Sequence, residues 1–387
     1  MQEIFFLLLP IAAFYGWYMG VRSVHQKKQK KENKLSSDYV KGLNFLLSDQ
    51  PDKAVDHFIA LLEVDSETIE THLALGNLFR QRGEVERSIR IHQNLIARPS
   101  LTREQRDLAM LQLGKDFYQA GLFDRSEEIF VQLKSSPEYK QVALENLLNI
   151  YQQLKEWKDA VSVTESLNKL AKGKAKRRTL AYLYCSLASE MDEEKAQVKL
   201  YKKALDIFPA CIKASLALSD FYQRYNRLDK ALETLQTIPE VDIEFSEVIL
   251  DKLLLLHQQL GREEELITYL YRIISLGAGA SAVILLSKLI AEFRSVEKAQ
   301  SFMLQELRRN PTMKGFNQLM TYHLTLSESS SEVESLSFLQ KLVAQQIKLR
   351  PQYRCQKCGY SSNKLFWLCP SCKSWGRIKP IRGLDGE

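Results

Sequence analysis

A chain of 387 residues is too long for one ordinary hydrophobic core, so it either divides into domains or spreads along a repeat array. Its formal charge of +7 sits at its ends: residues 22–34 carry six Lys/Arg against Glu32, residues 350–387 carry eight against Asp385 and Glu387, and the stretch between is about neutral. That distribution speaks against a basic nucleic-acid groove along the chain, and no nucleic-acid partner is expected.

Residues 4–21 form an uncharged apolar run, Ile-Phe-Phe-Leu-Leu-Leu-Pro-Ile-Ala-Ala-Phe-Tyr-Gly-Trp-Tyr-Met-Gly-Val. As a helix it spans about 27 Å, enough to cross a hydrocarbon core once. The acidic start Met1-Gln2-Glu3 and the absence of a small-x-small exit distinguish it from a cleaved signal peptide. Tyr15, Trp17 and Tyr18 suit an interfacial belt, and the basic residues that follow place the N-terminus outside and the remainder in the cytosol. Residues 1–21 are therefore predicted to be a transmembrane helix and 22–34 a basic juxtamembrane linker. Gly16 and Gly20 offer a narrow face on which another membrane helix packs.

From residue 35 to 349 the chain reads as about eight to nine helix pairs. A small residue, an aromatic three positions later and a second small residue twelve positions on recur at a spacing near 34. The pattern runs through Gly42, Phe45 and Ala54, then Gly76, Phe79 and Ser88, then Gly114, Phe117 and Ser126. Further copies follow at Tyr151 to Leu167, Leu183 to Pro209, Leu218 to Ala231, Leu253 to Leu270 and Leu286 to Pro311, with a last irregular pair from Phe316 to Leu349. Small residues let helices approach closely, aromatics fill the space between them, and proline stops the second helix. These copies resemble the tetratricopeptide repeat, and the fold class expected is an all-α solenoid whose exposed faces bind peptides or folded partners.

Several residues invite sharper readings that their surroundings do not support. His57, His72, His92, His257 and His323 are scattered through different repeats without metal-ligand spacing. The basic run Lys172-Gly173-Lys174-Ala175-Lys176-Arg177-Arg178 is expected to be a solvated inter-repeat loop, and residues 327–331 a flexible one. Cys185 and Cys211 lie in apolar helical surroundings and are expected to be core thiols rather than a disulfide. The sequence contains no phosphate-binding Gly-rich loop and no nucleophile elbow, so no catalytic residue is assigned.

The chemically specific constellation lies in residues 350–387. Cys355-Gln356-Lys357-Cys358 is followed, ten residues on, by Cys369-Pro370-Ser371-Cys372, a spacing that brings four thiolates to one tetrahedral ion, iron or zinc. Four sulfurs leave no open coordination position, so the ion's expected role is structural. About 30 residues cannot bury a sufficient core, and metal binding supplies the missing folding energy, on the order of 10 kcal/mol in small zinc modules. The Cys-x-x-Cys-Gly and Cys-Pro-x-Cys knuckles resemble rubredoxin, although Lys373 stands where a second Gly is usual, which speaks against an electron carrier. The module is expected to be a metal-stapled cap on the solenoid.

Taken end to end, the chain resembles the lipopolysaccharide assembly protein B family of Gram-negative bacteria. The features that carry the resemblance are the membrane segment, the repeats, the box Tyr353-Arg354-Cys355-Gln356-Lys357-Cys358-Gly359 and the tail Ile378-Lys379-Pro380-Ile381-Arg382-Gly383-Leu384-Asp385-Gly386. The resemblance implies a non-enzymatic, single-pass protein of the bacterial inner membrane, its N-terminus periplasmic and its bulk cytoplasmic. It implies that such a protein restrains lipopolysaccharide synthesis by presenting the committed-step deacetylase of the lipid A pathway to a membrane-bound AAA+ protease. An inner-membrane lipopolysaccharide-sensing protein is implied as the opposing partner, and lipopolysaccharide transport proteins as further ones. Cys355, Cys358, Cys369 and Cys372 match the family's metal ligands one for one. The competing expectation is a general scaffold for lipopolysaccharide synthesis and export enzymes with no proteolytic role.

Overall fold

The computed structural model describes residues 69–170, 173–327 and 330–387 throughout, with scattered positions between 15 and 57. The membrane helix expected over residues 1–21 lies largely outside the described residues, and the first repeat copy, around residues 41–58, is described at scattered positions that include Gly42, Phe45 and Ala54. Among the described residues, no helix is long and apolar enough to cross a membrane. The chain divides into two compact units, Met1–Gln153 and Leu154–Glu387.

In the first unit, α1 (Ile69–Gln81) pairs with α2 (Val85–Ile96) and α3 (Arg103–Gln119) with α4 (Phe123–Leu133), and α5 (Lys140–Leu154) follows. The recurring small residues have a specific use. Ser88 Oγ donates to the Gly76 carbonyl at 2.8 Å and Ser126 Oγ to the Gly114 carbonyl at 2.7 Å, so each second helix is latched to the first at its closest approach. A Cβ on Gly76 would lie 2.4 Å from His92 Nε2, and one on Gly114 would lie 2.8 Å from Phe130 Cζ. His92 and Phe130 are thus equivalent plugs in successive repeats, both fully buried.

The turns share one closing device. Gly83 and Gly121 take positive φ (84° and 76°), and the next residue donates five positions back, Glu84 N to Phe79 O and Leu122 N to Phe117 O, each at 2.9 Å. This is the Schellman ending, in which a left-handed residue lets the last carbonyls of a helix find donors.

The second unit continues with α6 (Trp157–Leu170), α7 (Lys174–Ser189), α8 (Glu194–Ile207), α9 (Ile212–Arg224), α10 (Leu228–Val241), α11 (Ser246–Leu260) and α12 (Glu263–Ser275). Then come α13 (Ala280–Phe293), α14 (Val296–Arg309), α15 (Met313–Leu326) and α16 (Ser330–Leu349). Asn226 and Gly261 make the same turn ending (φ 53° and 63°), and Ser219 Oγ makes a latch in the reverse direction, from first helix to second, donating to Ala231 O at 3.1 Å. Pro209 and Pro311 stand just beyond α8 and α14, where proline ends a helix because it lacks the N–H that the next turn needs.

Two local expectations change. Lys174 to Arg178 are not a loop but the first turn of α7, with Arg178 over the Phe208 ring at 5.3 Å. Ser330 and Ser331 belong to α16, while 328–329 lie outside the described residues. Cys185 and Cys211 are fully buried free thiols with sulfurs 3.6 Å apart, and their mutual hydrogen bond together with burial holds the Cys185 thiol well above its ordinary range.

After α16 the chain forms a small three-stranded antiparallel sheet in the order β2-β1-β3, from β1 (Tyr353–Cys355), β2 (Ser361–Ser362) and β3 (Ile378–Pro380). Leu365 and Trp367, from the linker between the knuckles, pack against the same apolar cluster that contains Leu253, Leu270 and Leu286. The ribbon therefore shares the helical core of the second unit.

Candidate metal centre and its seat on the helices

The two knuckles are backbone copies of each other. Cys355 N donates to Tyr360 O (2.8 Å) and Gly359 N to Cys355 O (3.0 Å); Cys369 N donates to Ser374 O (3.0 Å) and Lys373 N to Cys369 O (3.0 Å). The fifth residue of each knuckle takes positive φ, 78° at Gly359 and 52° at Lys373. The lysine that departs from the usual glycine thus adopts the conformation the turn demands, at the steric cost of a Cβ in the left-handed region.

This folding gathers the four predicted ligands. Their sulfurs lie within 4.8 Å of one another, with Cys355 Sγ to Cys372 Sγ and Cys358 Sγ to Cys369 Sγ both 3.7 Å. Sulfurs on the corners of a tetrahedron with a metal–sulfur bond of about 2.3 Å are separated by about 3.8 Å, so the donor set fits a single tetrathiolate ion. Cys355 and Cys369 are buried, Cys372 half-buried and Cys358 exposed.

The local electrostatics pull Cys358, Cys369 and Cys372 apart in acidity. The Tyr360 N–H holds Cys358 below the ordinary thiol range. Burial pushes Cys372 up, but hydrogen bonds from the Ser374 hydroxyl and backbone N–H outweigh it and bring the thiol to about 6. Cys369, whose burial dominates, is pushed up to about 12. A bound cation would hold all four as thiolates and close the ribbon, with no coordination position left for a substrate.

The ribbon does more than close an end of the array. Trp375 stacks on Tyr182 of α7 (centroids 5.8 Å apart, 19° between planes) and meets Trp157 of α6 edge-on at 6.2 Å. Trp367 lies 5.9 Å from Tyr182 and stacks on Phe245, between α10 and α11, at 6.1 Å. A Cβ on Gly376 would sit 2.6 Å from the Tyr182 ring, so that position is held open by glycine. Lys379 Nζ reaches Asp242 Oδ2 (2.7 Å) and Glu244 Oε2 (2.6 Å) while lying over the Phe245 ring at 5.7 Å. These helical residues were not singled out in the sequence. The available signal was indirect: a module too small to bury Trp367 and Trp375 by itself must place them on something else.

The scattered histidines do not join the site. His92 and His257 are fully buried, with Nδ1 against Asp116 Oδ2 (2.5 Å) and the Leu253 carbonyl (2.7 Å) respectively, and the His323 ring meets Gln300 Nε2. Asp116, itself fully buried, also takes Arg80 Nη1 at 2.8 Å. This charged node between neighbouring repeats was not anticipated.

The rubredoxin metal binding domain family matches residues 353–380, and tetratricopeptide repeat families match 71–106 and 192–248. The chain is 45% identical to lipopolysaccharide assembly protein B of Escherichia coli (strain K12), with all of each chain covered. It is 41% identical to the protein of the same name from Haemophilus influenzae, covering 98% of each. Among solved structures, a tetratricopeptide repeat protein from Parabacteroides merdae covers 71% of this chain and 100% of its own, at 12% identity and a TM-score of 0.35. A tetrathiolate ribbon seated on helix pairs, with 45% identity over the whole of both chains, places this chain in the lipopolysaccharide assembly protein B family.

Proposed function

We propose that this chain is a membrane-tethered, non-catalytic adaptor in the control of lipopolysaccharide assembly. The observation that carries the reading is the full-length identity to relatives named for lipopolysaccharide assembly. The closed tetrathiolate and the repeat helices support it, because both are suited to holding proteins rather than transforming substrates. Residues 1–21 are proposed to cross the inner membrane with the basic linker on the cytoplasmic side. Of that segment, Tyr15, Trp17 and Tyr18 are described in helical conformation and are at least half exposed, as interfacial anchors would be in water.

In this reading the client is the lipid A pathway deacetylase, the receiver is a membrane-bound AAA+ protease, and a lipopolysaccharide-sensing membrane protein opposes delivery. Anchoring raises the effective concentration of client beside protease without new contacts. The metal, iron or zinc, is proposed to be structural; an iron tetrathiolate is coloured and reducible, and a zinc one is neither. The test is the half-life of the deacetylase in cells depleted of this chain, complemented either by the whole chain or by one lacking residues 1–21. Delivery predicts a long half-life on depletion that only the whole chain shortens. A half-life unmoved by depletion overturns delivery in favour of a general scaffold for synthesis and export enzymes.

A further inference from the structure

The segment 381–387 leaves the ribbon and returns to the helices, where its last side chain is gripped as a ligand would be. Glu387 Oε2 accepts from Ser281 N at 2.9 Å, at the N-terminus of α13, and Oε1 accepts from Ser281 Oγ at 2.6 Å and from Lys314 Nζ of α15. The side chain is 5% exposed and that of Lys314 is 18% exposed. Charge-assisted bonds of this kind are the strong ones, and a helix N-terminus adds its own positive end. The surroundings are shaped to admit this residue: a Cβ on Gly279 would fall 2.5 Å from Glu387 Cβ. Backbone bonds steady the approach, with Met313 N donating to Leu384 O at 2.8 Å and Arg382 Nη2 to Gly277 O at 3.0 Å. At the outer rim, Asp385 pairs with Arg350.

Beside this grip the fit is poor. A cavity of about 500 Å³ lies under the segment, walled by Ile274 and Val283 on one side and Met303 and Leu307 on the other. Leu384 borders it yet remains 53% exposed. The acid is held tightly and the apolar room ahead of it is left unfilled, so the segment satisfies only half of what the cleft offers.

We propose that this cleft is a docking site for an acidic peptide segment of a partner, one with a glutamate three residues after a bulky apolar side chain, and that segment 381–387 is its resident occupant in cis. The glutamate takes the Ser281 and Lys314 positions, and the apolar side chain fills the cavity that Leu384 only borders. Occupation in trans lifts the segment from α13 and α15 and frees the strand end that it continues. The inference stands apart from the adaptor reading, since it rests on contacts within this chain alone.

The probe is a fluorescent heptapeptide with the sequence of residues 381–387, titrated by anisotropy into the full chain. The cis segment competes at an effective concentration of order millimolar, so the unmodified chain binds the probe weakly. Glu387→Gln, which weakens the grip without changing size, is expected to bind it at least ten-fold more tightly. Asp385→Asn, at the exposed rim, is expected to act in the same direction without touching the socket. A probe carrying Leu384→Trp is expected to gain a further several-fold, and adding Lys314→Met to Glu387→Gln is expected to abolish binding. No saturable binding to either single variant, or undiminished binding with Lys314→Met, overturns the site. A tryptophan probe no tighter than the leucine one overturns the role given to the cavity.

Discussion

The two units hold their helices together over different distances along the chain. In the first, the latches and the charged node join positions 12 to 36 residues apart: Ser88 to Gly76, His92 to Asp116, Arg80 to Asp116. In the second, a serine latch is present at Ser219, but Trp375 also stacks on Tyr182 and Glu387 reaches Ser281, 106 residues back. Local contacts make stability a sum over neighbours, so a repeat array opens piecemeal. Contacts that skip several repeats tie those repeats into one cooperative body. The comparison teaches that the metal ribbon changes how the second unit unfolds as well as how it ends.

The most direct way to break the comparison is to remove the metal site. Cys369→Ser removes a buried ligand and with it metal-coupled folding energy on the order of 10 kcal/mol. Hydrogen exchange is expected to show a large loss of protection in α7 and α11 and little change in α1 to α4; equal loss in both units would erase the distinction. Next in size, Asp116→Ala leaves the buried His92 Nδ1 without its partner and takes one carboxylate from Arg80, which keeps Gln112 and Asn77, and is expected to destabilise the first unit by about 1–3 kcal/mol. Metal content measured on the same variant should be unchanged.

A smaller, pH-dependent effect belongs to the second unit. Burial first, and then Glu387, push Glu247 up from 4.5 to about 7, against the pull of Lys314. A carboxyl whose folded value lies above its unfolded one favours the folded state while protonated. Its contribution is complete below about 4.5 and is lost as pH rises through about 7. Thermal melts of the unmodified chain and of Glu247→Gln are expected to differ by an amount that changes between those two values; a constant difference would refute this assignment. Smallest of all, Arg272→Ala removes an exposed pair with Glu240 (2.7 Å) and is expected to cost no more than about 1 kcal/mol, readable as a slight shift in denaturant midpoint.

What the sequence made legible follows from how local each interaction is. Gly76 and Ser88 were visible as a pair because the hairpin that joins them is itself a local structure. The four cysteines were visible because their spacing encodes the knuckle turn, and Lys373 shows that even a departure from the usual residue leaves the turn in place. Tyr182, Phe245, Asp242 and Glu244 were not visible, because their role depends on where the chain returns after many further helices. Asp116 escaped for a related reason: an acid inside a helical pattern reads as a solvent-facing residue until a neighbouring repeat supplies an arginine and a histidine. The seating of Glu387 has no local signature at all.

The aromatic seat at Tyr182 also sets a schedule for synthesis. Trp367 lies 185 residues after Tyr182, and at about 5–20 residues per second it leaves the ribosome roughly 10–40 s later. During that interval a large ring that ends 1% exposed has no partner from the ribbon, and the nascent α6 to α11 present an apolar patch to whatever is nearby. The two ribbon tryptophans are thus among the last partners that Tyr182 acquires, and its seat is complete only when the four-cysteine module has been made.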